Sequence, residues 1–115
     1  QVRCFTHVED TVRALVELIE LGRGVGEVVN VGSDKETTIL ELAERVHKLV
    51  NPNIALQRVS DPPPGSLTMA YRRPDLAKIK GLIGWMPYLG LDTIIEDVMA
   101  WKLQGGTIRA PSRTY

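Results

Sequence analysis

The chain has 115 residues, 43% of them apolar and 24% charged, which fits one small globular domain. Fourteen Lys and Arg balance fourteen Asp and Glu, so the basic excess of a nucleic-acid surface is missing. One cysteine excludes an internal disulfide, no apolar run approaches the roughly 20 residues of a membrane span, and no basic-then-apolar leader opens the chain. A reducing, cytoplasmic setting is therefore the default expectation, with neither nucleic acid nor membrane as partner.

Val2, Cys4, Thr6 and Val8 alternate with Arg3, Phe5 and His7, the period of a strand. Glu9, Asp10 and Thr11 supply N-cap candidates for a helix over residues 10–21, whose apolar stripe is Val12, Leu15, Val16 and Ile19. Gly22, Gly24 and Gly26 end it in a loop. Val28, Val29 and Val31 are β-branched and nearly continuous, which predicts a strand buried on both faces and in want of neighbours. Thr38 and Glu41 have capping-box spacing, ahead of the stripe Ile39, Leu42, Ala43, Val46, Leu49 and Val50. Asn51, Pro52 and Asn53 stop that helix, and residues 54–59 read as a third short strand. Three consecutive prolines make residues 61–66 a loop. Asp75 can cap a short helix carrying Leu76, Ile79 and Ile83, and the break at residues 84–87 follows. Leu91, Ile94, Ile95, Val98 and Trp101 mark a final helix ended by Gly105 and Gly106. Residues 105–115 form a flexible tail. The expected fold is α/β, with about three strands and four helices in an incomplete sheet.

Four anchors, in order, resemble the C-terminal part of the NDP-sugar epimerases and dehydratases, the extended short-chain dehydrogenase/reductase family. They are the run from Gln1 to Asp10, similar to Q-x-R-x-F-x-(Y/H)-V-(D/E)-D; Val29-Asn30-Val31-Gly32-Ser33 with the later Thr38-Ile39-Leu40-Glu41-Leu42-Ala43; Arg72-Arg73-Pro74-Asp75-Leu76-Ala77-Lys78, similar to R-x-P-D-(I/L)-x-K; and Ile83-Gly84-Trp85-Met86-Pro87, similar to L-G-W-x-P. The family's G-x-x-G-x-x-G turn and Y-x-x-x-K pair do not occur here: the fourth neighbours of Tyr71 and Tyr88 are Asp75 and Asp92. The resemblance implies that residues 1–104 are the substrate-binding part of a Rossmann-like enzyme. NAD and the catalytic pair would then belong to a part upstream of Gln1, the parent being a homodimer and this chain alone inactive; the apolar run Val28, Val29 and Val31, with too few elements to cover it, makes the isolated chain prone to self-association. It implies oxidation at the sugar C4, a change at the keto intermediate and return of hydride. Epimerisation is the first expectation, with UDP-glucuronate decarboxylation and NDP-sugar 4,6-dehydration as alternatives. The rival of another class is a stand-alone, non-catalytic α/β interaction module, supported by the neutral charge and the well-capped helices.

By resemblance Arg3 and Arg72 would hold the diphosphate of a nucleotide sugar, with Arg73 an alternative ligand one residue away. Arginine suits the task because its planar fork donates two hydrogen bonds to phosphate. Spacing alone would make Arg3 an exposed strand residue and either loop arginine a solvated charge. Asp61 would meet a nucleotide ribose by resemblance, or otherwise form a turn before proline. His7 is expected to be packed, His47 to face solvent, Cys4 to be a small core residue, and Trp85 and Trp101 to anchor the core. None of these carries a metal or a catalytic role.

Overall fold

A computed structural model of the chain describes residues 1–59 and 69–106. In chain order these form β1 (Val2–Cys4), α1 (Val8–Leu21), β2 (Glu36–Thr38), α2 (Ile39–Val50), α3 (Ala77–Ile83) and α4 (Leu91–Leu103). The α/β reading holds, with four helices and a two-stranded antiparallel sheet among the described residues. Val2 lies opposite Thr38, Arg3 opposite Thr37, and Cys4 opposite Glu36. Tyr71 forms a parallel bridge to Val2, whose amide donates to the Ala70 carbonyl at 2.8 Å. Strand β1 thus has a neighbour on each edge.

The helix boundaries follow from local chemistry. The residue that caps α1 is His7, with extended backbone and Nδ1 accepting from the Glu9 amide at 3.1 Å. The expected caps, Glu9 to Thr11, already lie inside the helix, because it starts two residues earlier than the apolar stripe suggests. Gly22 closes it in the left-handed region at φ 62, which glycine adopts without a Cβ penalty. Thr38 caps α2 as expected, its hydroxyl accepting from the Glu41 amide at 3.0 Å. The Asp75 carboxylate accepts from the Ala77 amide at 2.9 Å at the entrance to α3, with Leu76 in the cap position.

The core is small: Ala14 of α1, Leu76, Ile79 of α3 and Trp85, flanked by Leu18, Val29, Val31 and Ile83. A buried carboxylate fastens α1 to the turn that launches α4. Asp10, 2% exposed, accepts from the backbone amides of Tyr88 at 3.0 and 3.1 Å and of Leu89 at 2.9 Å. Arg13, one turn on, pairs with Asp10 at 3.1 Å and donates to the Met86 carbonyl. Its guanidinium lies 4.0 Å from the Tyr88 ring centre and 5.3 Å from that of Trp85, a cation–π arrangement. A second tie joins the start of α1 to α4. His7, buried, accepts at Nδ1, so Nε2 carries the proton and donates to Asp97 at 2.8 Å. Arg45 links α2 to α4 through Asp92 at 2.9 Å.

Several sequence expectations are corrected. Residues 28–31 are not a strand: Val28 is 87% exposed, whereas Val29 and Val31 pack one-sidedly against the helical core. A strand exists only with a ladder partner, and among the described residues none lies beside this run. The Lys78 ammonium takes the Val28 carbonyl instead, at 2.8 Å. The second strand is the polar run 36–38, which no apolar alternation announces. Residues 54–59 are likewise not a strand, and Ile54, Leu56 and Val59 are exposed. Asp10 is a buried tie rather than a cap. Cys4 is half-buried rather than core, and Trp101 is exposed, leaving Trp85 as the aromatic anchor. His47 pairs with the Ile54 carbonyl at the exposed side of α2. The proline loop at 61–66 lies outside the described residues, as does the tail beyond residue 106.

Two expectations follow. Asp10→Ala leaves the Tyr88 and Leu89 amides without their acceptor and removes one of the carboxylates facing Arg13, and should cost roughly 3 kcal/mol in urea unfolding. Burial alone would raise the Asp10 carboxyl, but the Leu89 and Tyr88 amides and Arg13 outweigh it and hold the group below its ordinary 3.8. A carboxyl depressed in the folded state stabilises above its unfolded pKa and loses that stabilisation as pH falls through the folded one. Wild type should therefore lose stability between about pH 5 and pH 3 more steeply than Asp10→Asn; parallel slopes would refute this.

The outer side of α1 carries Val8, Val12, Leu15, Val16 and Ile19, all exposed, Ile19 to 80%. We expect this chain by itself to self-associate and to bind a hydrophobic dye. A clean monomer in sedimentation at high concentration, without dye binding, would count against it.

Candidate functional site

Strand β1, the turn at residues 30–33 and the extended run 71–75 surround one concavity. The turn is held from both sides. The Thr6 hydroxyl accepts from the Ser33 amide at 2.8 Å, and Ser33 Oγ accepts from the Lys35 amide at 3.1 Å. A Cβ on Gly32 would meet Pro74 Cγ at 3.4 Å and Thr6 Oγ1 at 3.5 Å, so the turn sits close against both walls. Asn30 donates to the Asp75 carbonyl at 3.4 Å.

The ladder decides which side chains share a face. Residues opposite one another project to the same side, and neighbours along a strand alternate. Cys4 and Glu36 are opposite, as are Val2 and Thr38, and Val2 is bridged to Tyr71. Val2, Cys4, Glu36, Tyr71 and Arg73 therefore share one face. Arg3 and Arg72 take the other; both line the concavity, and Cys4 and Arg73 line it as well.

The contacts agree with this sorting. The Tyr71 hydroxyl donates to Glu36 at 2.6 Å. Arg73 donates to the same carboxylate oxygen at 3.1 Å and stands 3.8 Å from Asp34. Arg73 thus faces two acids, while Arg72 makes no hydrogen bond or ion pair with the described residues. The Tyr71 bond holds the Glu36 carboxyl below its ordinary range, against a small opposing effect of burial and with help from Arg73. The same bond raises Tyr71, and its contacts with Tyr71 and Glu36 raise Arg73. Burial, then Glu36, pushes the Cys4 thiol up, which makes it a poor nucleophile at neutral pH. Arg3 donates to its own neighbour's carbonyl, Val2, at 2.8 Å, which leaves the rest of its fork open.

Of the four residues singled out from sequence, Arg3, Arg72 and Arg73 line one concavity, and Asp61 lies outside the described residues. The acids Asp34 and Glu36 and the hydroxyl of Tyr71 escaped the sequence reading. The period of two across Tyr71, Arg72 and Arg73 was the signal that could have set Tyr71 and Arg73 on one face; no local signal points to Asp34 and Glu36. No group of three metal-ligating side chains occurs among the described residues, and no helix there is long and apolar enough to cross a membrane.

No family model matches the chain. It is 38% identical over 101 residues to UDP-glucuronic acid decarboxylase 3 of Arabidopsis thaliana, covering 84% of this chain and 28% of that protein. It is 36% identical over 92 residues to UDP-glucuronic acid decarboxylase 1 of Danio rerio, covering 80% of this chain and 21% of that one. It is 29% identical over 104 residues to the UDP-N-acetyl-alpha-D-glucosaminuronate decarboxylase of Bacillus cytotoxicus, covering 88% of this chain and 32% of that protein. The chain spans between a fifth and a third of the length of these relatives. Likeness running through nearly all of the chain, with the motifs in order and an α/β fold, places it in the NAD-dependent epimerase/dehydratase family, the extended short-chain dehydrogenases/reductases.

Proposed function

We propose that this chain is the nucleotide-sugar-binding part of an NAD-dependent UDP-sugar decarboxylase and that Arg72, with Arg3, holds the substrate's diphosphate. The observation that carries this reading is the pair of arginines on one face of the β1 ladder, above one concavity, with Arg72 unengaged by any described acid. A diphosphate needs such donors, because each charge-assisted bond is roughly twice as strong as a neutral one. Arg73 is the weaker candidate, since Glu36 and Asp34 already face it. The names of the relatives favour decarboxylation over the epimerisation put first from sequence.

In such a reaction NAD, held by the remainder of the protein, would supply the reversible hydride chemistry at the sugar C4. This chain's contribution is to bind and orient the nucleotide end. Its own residues do not suit the dinucleotide. The glycines at 22, 24 and 26 follow the C-terminal end of α1, where carbonyls rather than amides point outward. Cofactor and acid/base chemistry are assigned to the remainder of the protein.

The test is titration of the longer protein carrying this chain with UDP-glucuronate, followed by calorimetry. Arg72→Ala and Arg3→Ala should each weaken binding by roughly tenfold or more while leaving NAD affinity unchanged. Arg23→Ala should do little: Arg23 lies in the glycine loop and, among the described residues, donates to the Leu82 carbonyl of α3. Wild-type affinity in Arg72→Ala would show the ligand misassigned, with Arg73 the next to substitute.

A further inference from the structure

We infer that Glu36 is a positioning residue for diphosphate recognition: it locks Tyr71 and Arg73 onto one face of the ladder and so presents Arg72 on the other. This rests on the site reading above and adds a residue to it that does not touch the substrate.

Residues 71–73 belong to none of the helices or strands and are held to the sheet by few bonds. The backbone supplies one bridge, Val2 to Tyr71, and one amide bond, Val2 to Ala70. A single bridge does not fix the rotation of an extended run about its own axis. Side chains must do it, and both that alternate with Arg72 converge on one carboxylate oxygen of Glu36, Tyr71 at 2.6 Å and Arg73 at 3.1 Å. Asp34 adds a longer contact to Arg73 at 3.8 Å. Glu36 itself is anchored, since it lies in β2 directly opposite Cys4. The two contacts act as a clamp across the ladder. With the clamp closed, alternation leaves Arg72 nowhere to point but the face it shares with Arg3. With it open, the run can turn, and Arg73 becomes a competing cation of the wrong geometry.

The charge of Glu36 makes the alternative explanation distinguishable. A carboxylate merely near the site would repel a diphosphate, so its removal would tighten binding. A clamp predicts the opposite sign. The experiment is calorimetric titration of the longer protein with uridine diphosphate, comparing wild type, Glu36→Gln, Tyr71→Phe, Arg72→Ala and the double variant Glu36→Gln with Arg72→Ala. Glu36→Gln should weaken binding roughly three- to tenfold, and Tyr71→Phe should do so by less. The Glu36→Gln penalty should vanish in the Arg72→Ala background, because a residue acting through Arg72 has nothing left to position. Glu36→Asp, which keeps the charge but shortens the reach, should fall between wild type and Glu36→Gln. Unchanged or tighter binding by Glu36→Gln, or an equal penalty in both backgrounds, would overturn the clamp while leaving the site reading intact. An Arg72→Ala protein with wild-type affinity would overturn the site reading and the clamp with it.

Discussion

The described fold depends on one buried carboxylate. The core alone is too small to fix the relation of its helices, since α1 contributes Ala14 and little else that is fully buried. Asp10 supplies what apolar contact does not: direction. A carboxylate accepting from two consecutive backbone amides is held in one orientation, and the amides of Tyr88 and Leu89 are thereby set in space. Those amides open the turn into α4, so α4 takes its starting point from α1. Arg13 then closes the arrangement, neutralising the acid and covering Trp85 with its guanidinium. Removing water from this group costs energy, and three favourable partners, Leu89, Tyr88 and Arg13, offset it.

The site inherits this placement at one remove. Trp85 and Ile79 hold α3 against α1, and α3 begins two residues beyond Asp75, the last residue of the run that carries Arg72. Asn30 and Pro74 bring that run against the turn at 30–33. The arginines therefore sit where a helical core and a minimal sheet meet. The core sets where the run ends, and the sheet sets how it is turned.

What could be read from the sequence divides along the same line. The helices were legible because their signals are local: the Thr38–Glu41 cap lies within one turn and the stripe of α2 within one 12-residue helix. Of the strands, β1 was legible from its alternation, but its partner was not, because pairing is decided by residues far apart in the chain. Val28, Val29 and Val31 have every intrinsic preference for a sheet and take no part in one, while the polar run Glu36-Thr37-Thr38 pairs because β1 lies beside it. Arg3, Arg72 and Arg73 were picked out by motif, but nothing in their identity says which is engaged. That depends on Glu36, about 35 residues upstream of Tyr71 and Arg73, and on a register known only once the ladder is seen.

The alternation across Tyr71, Arg72 and Arg73 bears on how such a site tolerates change. Residues gained or lost upstream of the bridge at Tyr71 would leave the register of the arginines unchanged. One residue inserted between Tyr71 and Arg72 would exchange the two faces, setting the working cation beside Glu36 and the neutralised one beside Arg3. Composition would be almost unaltered and every motif letter still present. Length variation in relatives should accordingly accumulate upstream of the tyrosine position and stop there, a boundary set by the period of a β-strand and not by the chemistry of phosphate.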